Sequence, residues 1–345
     1  MTFGKINKCN DFKLKNCFYC GRINQYDTII IRGLILLFDN FLMIASQVLV
    51  LFILIGVGFL CGKRGILTDL SSKKITDIVL YVVTPCVMIS AFQRELSFEL
   101  LGKILIAVLC AVLILAGSIL VAKLVFHDKN ESRNKVLQFA VVFSNCGFMS
   151  LPLQKAILGD DGWFYGSIFV AVFNVFAWTY GLVSMSGDRK QLSIKRIIFN
   201  PGIVGVTIAL LLFVLRIQLP YIVIQPISYL ADLNTPIPML IIGFYLSQAN
   251  FKKAFSDTGV YLGMAVRLVL IPLVATFVMT LAGVDKVITV AFIIASSAPT
   301  AATTTMFSAK FNRDVELSVS MVASTTIVSI LTMPLVVALA QSITG

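Results

Sequence analysis

The chain has 345 residues, 58% hydrophobic and 13% charged, with a net charge of +11. Ordinary soluble domains are about 45–50% apolar and ~25% charged. The composition therefore argues against a soluble enzyme, a disordered chain or a disulfide scaffold, for which seven cysteines are few. The positive charge is read as basic loops that set membrane topology, not as a nucleic-acid surface.

Residues 1–42 hold Lys5, Lys8, Lys13, Lys15, Arg22 and Arg32, together with Cys9, Cys17 and Cys20. They are read as a basic, unstructured extension, with an upstream-placed translation start as one source. Cys17 and Cys20 have redox or zinc spacing, but zinc needs about four ligands. The only histidine, His127, is far along the chain. No metal site and no cofactor are expected.

Ten apolar segments follow, near 43–62, 75–92, 102–126, 136–157, 163–185, 199–217, 221–248, 257–282, 286–308 and 315–341. A span takes about 20 residues, and a segment in lipid must satisfy its own backbone hydrogen bonds. The expected fold is an all-α polytopic membrane protein of ten transmembrane helices. Residues 43–185 would form a first five-helix repeat, 186–198 a cytoplasmic loop and 199–345 a second repeat. Loops after odd segments carry fifteen basic residues, and even loops carry four. The odd loops are thus expected to be cytoplasmic and both termini extracytoplasmic. The basic extension runs against that rule.

The halves echo each other. Thr84-Pro85 and Thr235-Pro236 are 151 apart, Pro152 and Pro299 147 apart, and Asn174 and Ser324 150 apart. Five helices per half make the halves face opposite ways, the inverted-repeat plan of secondary transporters.

Segment 4 reads Ser144-Asn145-Cys146-Gly147 up to Pro152, and segment 9 reads Ser296-Ser297-Ala298-Pro299-Thr300. Both set a proline break among small polar residues. Paired broken helices point to a substrate site, and half-helix N-termini suit an anion. Packing alone is the alternative for each segment taken singly. Asn174 shares a helix face with Trp178. Its amide either bonds a substrate or clamps helices, with Trp178 or Tyr180 walling the pocket. Arg267 lies deep in segment 8, where a charge is costly. It either holds a carboxylate substrate or pairs with Asp232 or Glu316. The candidate substrate set is Ser144, Asn145, Gly147, Pro152, Asn174, Pro299, Thr300 and Arg267. No phosphate-binding loop, catalytic pair or metal cluster is present in the sequence, so an enzyme is not expected.

Several stretches resemble the auxin efflux carrier family, bacterial branch, with the plant PIN exporters as distant relatives. They are Gln47 to Thr68, Leu80 to Pro85, Ser144 to Pro152, Pro299 to Phe307, and Ser324 to Pro334. The resemblance covers about residues 41–342. It implies two inverted repeats with segments 4 and 9 crossing at Pro152 and Pro299. It also implies an elevator-like motion of segments 3–5 and 8–10 against 1, 2, 6 and 7. Family substrates are organic anions: auxin in plants, malate or malonate for some bacterial members. The expected function is efflux or exchange of such an acid across the cell membrane. Partners would be the substrate and the bilayer, with a homodimer left open. The chain departs from many plant carriers in lacking a long loop between segments 5 and 6, which weighs against a plant hormone. Bile-acid–sodium symporters have similar crossovers. The rivals are a sodium- or proton-coupled importer and a membrane sensor.

Overall fold

The computed structural model describes residues 25–95, 97–188, 199, 201–249, 255 and 257–344. The Cys9, Cys17 and Cys20 cluster and the basic residues at 189–196 and 252–253 lie outside them. The described residues hold no strand and are helical almost throughout.

The helices are α1 (Gln25–Lys63), α2 (Asp69–Ala91), α3 (Phe98–Val125), α4 (Glu131–Val142), α5 (Cys146–Ser186), α6 (Pro201–Val214), α7 (Tyr221–Asp232), α8 (Pro236–Gln248), α9 (Thr258–Leu281), α10 (Lys286–Ser297), α11 (Thr303–Lys310) and α12 (Val315–Thr344). Among the described residues, seven helical runs are long and apolar enough to cross a membrane, against the ten expected segments. Breaks account for the difference. Expected segment 9 is split into α10 and α11, segment 4 begins as the separate α4, and α6 has only 14 residues. Helix α1 starts at Gln25, so residues 25–42 belong to it and not to an unstructured extension.

The run α5 holds two expected segments because it folds back at Gly159. That residue has φ 64° and ψ −145°, a conformation that favours glycine. The arms then lie close. A Cβ on Gly162 would stand 2.2 Å from the Gln154 carbonyl oxygen, and one on Gly166 would stand 1.8 Å from Gln154 Oε1.

Prolines are accommodated in a repeated way. A five-residue π-helical turn directly precedes Thr84-Pro85, Leu151-Pro152 and Ile271-Pro272. In an α-helix a proline ring clashes with the carbonyl four residues back. A wider turn moves that carbonyl aside, so each helix continues past its proline.

Helix α1 packs against α8 and α12, α2 against α6 and α7, and α10 against α5 and α12. The outward face is apolar: Ile53, Leu105, Phe277 and Leu331 are each about two-thirds exposed. Water would penalise such a surface, and lipid would not.

The start of α9 is tied to α4 outside the apolar band. Asp257 accepts from Gly259 N–H as the N-cap of α9, and its carboxylate pairs with Arg133. The Arg133 guanidinium beside it holds the Asp257 carboxyl below the usual carboxylate range. A depressed folded-state pKa gives stability above the unfolded value of about 3.9, lost as pH falls through the folded value. Asp257→Asn keeps an N-cap side chain and removes the charge paired with Arg133, so it should cost up to about 1 kcal/mol at neutral pH. Thermal melts should show the gap between wild type and variant closing below about pH 4. A gap that is unchanged at acid pH would refute the pairing.

Candidate functional site

The two broken helices meet back to back. After α4 the chain runs extended through Phe143 and Ser144, and after α10 through Ala298 and Pro299. Ser144 and Thr300 form an isolated antiparallel bridge. Asn145 N–H donates to the Pro299 carbonyl at 2.7 Å, and Ala301 N–H donates to the Phe143 carbonyl at 2.9 Å. The break in segment 4 thus falls at 143–145, seven residues before Pro152. Pro152 sits in the first α-helical turn beyond the π turn Cys146–Ser150, where a missing N–H costs little. The crossing runs through Ser144, not Pro152. Pro299 does lie at it, through its carbonyl.

Helix ends leave orphan carbonyls, and here those of α4 are all taken. Phe139 accepts from Phe143 N–H, and Ala140 accepts from Thr300 Oγ1 at 3.0 Å. Val141 and Val142 accept from Arg267 Nη1 at 2.8 and 3.4 Å. The same guanidinium reaches α10: Nε donates to Ala298 O at 3.2 Å, and Nη2 donates to Ser296 O. Thr300 N–H donates to Thr325 Oγ1 at 3.1 Å. Thr300 and Arg267 are both 1% exposed. Neither carboxylate the sequence offered to Arg267 is among its hydrogen-bond partners: Asp232 pairs with Lys155 at 3.3 Å, and Glu316 lies in the first turn of α12.

Beside the crossing lies a cavity of about 390 Å³, within the usual range for a small-molecule site. Four of the sequence candidates line it: Ser144, Asn145, Gly147 and Asn174. Pro152, Pro299, Thr300 and Arg267 stand outside its wall. The side chain of Asn145 has no hydrogen bond among the described residues, while Asn174 Nδ2 donates to Val170 O at 3.0 Å within its own helix. Trp178 packs edge-on to Phe307 and does not wall the cavity.

Other lining groups were not singled out in the sequence. Asn234, in the break between α7 and α8, lines the cavity and donates from Nδ2 to Gly147 O at 3.0 Å. Thr303 opens α11, and its buried Oγ1 has no partner among the described residues. Among the described residues, Lys73 is the one charged residue lining the cavity, and no carboxylate lines it. The exposed lining residues Lys73, Gln248, Met306 and Ala309 mark the mouth. Away from it, Lys155–Asp232 and Arg94–Asp161 (2.8 Å) tie neighbouring elements. The rest of the wall is mostly aliphatic and aromatic.

Charge follows from helix direction. Each helix end carries about half an elementary charge, positive at the N-terminus. The first turns of α5 and α11, at Gly147 and Thr303, line the cavity. The C-terminal ends of α4 and α10 lie behind it, on Arg267. The cavity therefore receives two positive ends, Lys73 and several amide or hydroxyl groups.

An apolar helical chain with broken helices meeting at such a cavity has the make-up of a membrane transporter. Sequence comparison agrees, matching the membrane transport protein family over residues 43–337. The chain belongs to that family, the auxin efflux carrier family. It is 25% identical over 302 residues to an uncharacterized transporter of Methanocaldococcus jannaschii, covering 84% of this chain and 96% of the relative. It is 22% identical over 296 residues to another uncharacterized transporter, from Methanothermobacter thermautotrophicus, with the same coverages. The protein is a transporter rather than an enzyme.

Proposed function

We propose that the protein moves a small organic acid anion across the cell membrane, as a secondary carrier or facilitator working mainly in efflux. The observation that carries this reading is the charge of the cavity wall. Two half-helix N-termini sum to about one positive charge, Lys73 adds another, and no carboxylate is among the described lining residues, while Asp69 accepts from Gln248 at the mouth at 3.3 Å. A carboxylate placed there meets donors and positive potential on the side of Ser144, Asn145, Gly147, Asn174, Asn234 and Thr303. Backbone amides at helix N-termini are a known form of anion site. The apolar remainder of the wall would hold the acid's carbon skeleton.

The break around Pro299 mirrors that after α4, and the turn before Pro236 stands where α2 has its π turn before Thr84-Pro85. This supports ten spans in two inverted five-helix repeats, 43–185 and 199–345, joined by the loop at 186–198. The mouth lies beside the segments bearing Lys63, Arg64, Lys310 and Arg313. By the positive-inside rule that side is cytoplasmic and both termini are outside. An elevator-like shift of segments 3–5 and 8–10 would carry the crossing and its bound anion to the other face. A homodimer is compatible with this plan.

Thermal stabilisation by ligand tests the site without flux. Malate, malonate and monocarboxylates should raise the melting temperature of purified protein saturably, as a ligand that binds only the folded state must. Thr303→Val should keep the melting temperature within about 2 °C, because it removes a hydroxyl with no partner. The same change should weaken the acid's effect at least threefold in concentration. No response to any acid in folded wild type would refute the anion site.

A further inference from the structure

Arg267 is the largest fully buried side chain among the described residues, and the anion reading leaves it without a task. A lone buried guanidinium needs compensation, and none of its hydrogen bonds goes to a carboxylate. They go to four carbonyls: Val141 and Val142 at the end of α4, and Ser296 and Ala298 at the end of α10. Two helix C-termini sum to about one negative charge, and the guanidinium carries one positive charge. The match is in number, sign and place.

Ion-coupled carriers use this kind of carbonyl set differently. There, unwound backbone carbonyls and half-helix C-termini coordinate the driving cation. Here the equivalent oxygens are already held by a cation tethered to α9. A sodium ion entering them would have to displace the guanidinium and meet its charge. Among the described residues no group of three or more His, Cys, Asp or Glu side chains stands ready as another metal site.

We propose that Arg267 is a built-in cation that occupies the place of a coupling sodium ion. The crossing then stays neutralised through the whole transport cycle, and flux needs no sodium. This rests on the transport reading, because it assigns the coupling of that same site. Arg267 would be a positioning residue: it holds both half-helices so that their N-terminal ends keep facing the cavity.

Purified protein is melted in sodium, potassium or choline chloride at equal ionic strength, and flux of a carboxylate is followed in the same salts. Wild type should melt at one temperature in all three, and its rates should agree within twofold. Arg267→Met should melt lower in choline, and millimolar guanidinium or sodium should restore part of the loss. Arg267→Lys should keep most of the stability, because it keeps the charge. A wild-type midpoint or rate that climbs saturably with sodium overturns the proposal. So does an Arg267→Met protein as stable in choline as wild type. If Arg267→Met does not accumulate, the sodium response of wild type and Arg267→Lys still decides. The melts need no substrate. Cation-independent melting without any acid flux would sink the anion reading and leave the role of Arg267 standing.

Discussion

Gly243→Val is expected to abolish the yield of folded protein. Gly58 on α1 and Gly243 on α8 face each other's helices at backbone contact. A Cβ on Gly243 would lie 2.0 Å from the Ile55 carbonyl oxygen, and one on Gly58 would lie 2.2 Å from that of Leu240. A backbone carbonyl cannot swing away as a side-chain tip can, so the helices must part. The core between them includes Ile44, Val48, Leu51, Ile55, Met239, Ile242 and Leu246. Close approach through small residues is how membrane helices gain packing, and parting forfeits it along the whole interface. Overpacking costs about 1–3 kcal/mol, occasionally more. With two backbones in contact the upper end is expected, a large share of a typical stability of 5–15 kcal/mol. Gly117→Ala is the control, since a Cβ there meets nothing within 4 Å. Size-exclusion profiles of detergent extracts should show a monodisperse peak for the control and aggregate for Gly243→Val. A Gly243→Val protein that elutes and melts like wild type would refute the backbone contact between α1 and α8.

The second large effect concerns Asn145. Its backbone N–H anchors the crossing, while its side chain lines the cavity with no partner among the described residues. Asn145→Ala should therefore leave the melting temperature nearly unchanged. It should lower the initial rate of acid uptake about tenfold or more, because a hydrogen bond to a charged group contributes about 1.5–3 kcal/mol. Asn145→Asp should be worse still, since it sets a negative charge where the anion is to sit. A rate in Asn145→Ala within twofold of wild type would move the site away from the crossing.

Much of this arrangement was legible in the residue order. Hydropathy marked the apolar segments, and the repeated proline offsets led to segments 4 and 9 as a pair. Pro152 misled on the position of the break, because proline is the visible signal while its clash is absorbed by the π turn before it. The actual break at 143–145 is fixed by backbone pairing with 299–301, a long-range match with no local mark. Arg267 was legible as costly, but its partners are carbonyls, which every residue has, so no sequence pattern names them. Asn234 and Thr303 sit in breaks next to prolines and small residues, and that setting could have found them. Lys73 was counted only as a loop charge, because nothing in the order of residues places its ammonium at a cavity mouth.

The central claim is that the cavity at the crossing carries an organic anion. Counterflow in proteoliposomes tests it most directly: vesicles loaded with unlabelled malate, malonate or a monocarboxylate, with labelled acid outside. Transient accumulation of label above the equilibrium level, abolished by excess unlabelled acid outside and reduced at least about tenfold in Asn145→Ala, is the predicted result. No accumulation with any acid, from wild type shown to be monodisperse and folded, would contradict it.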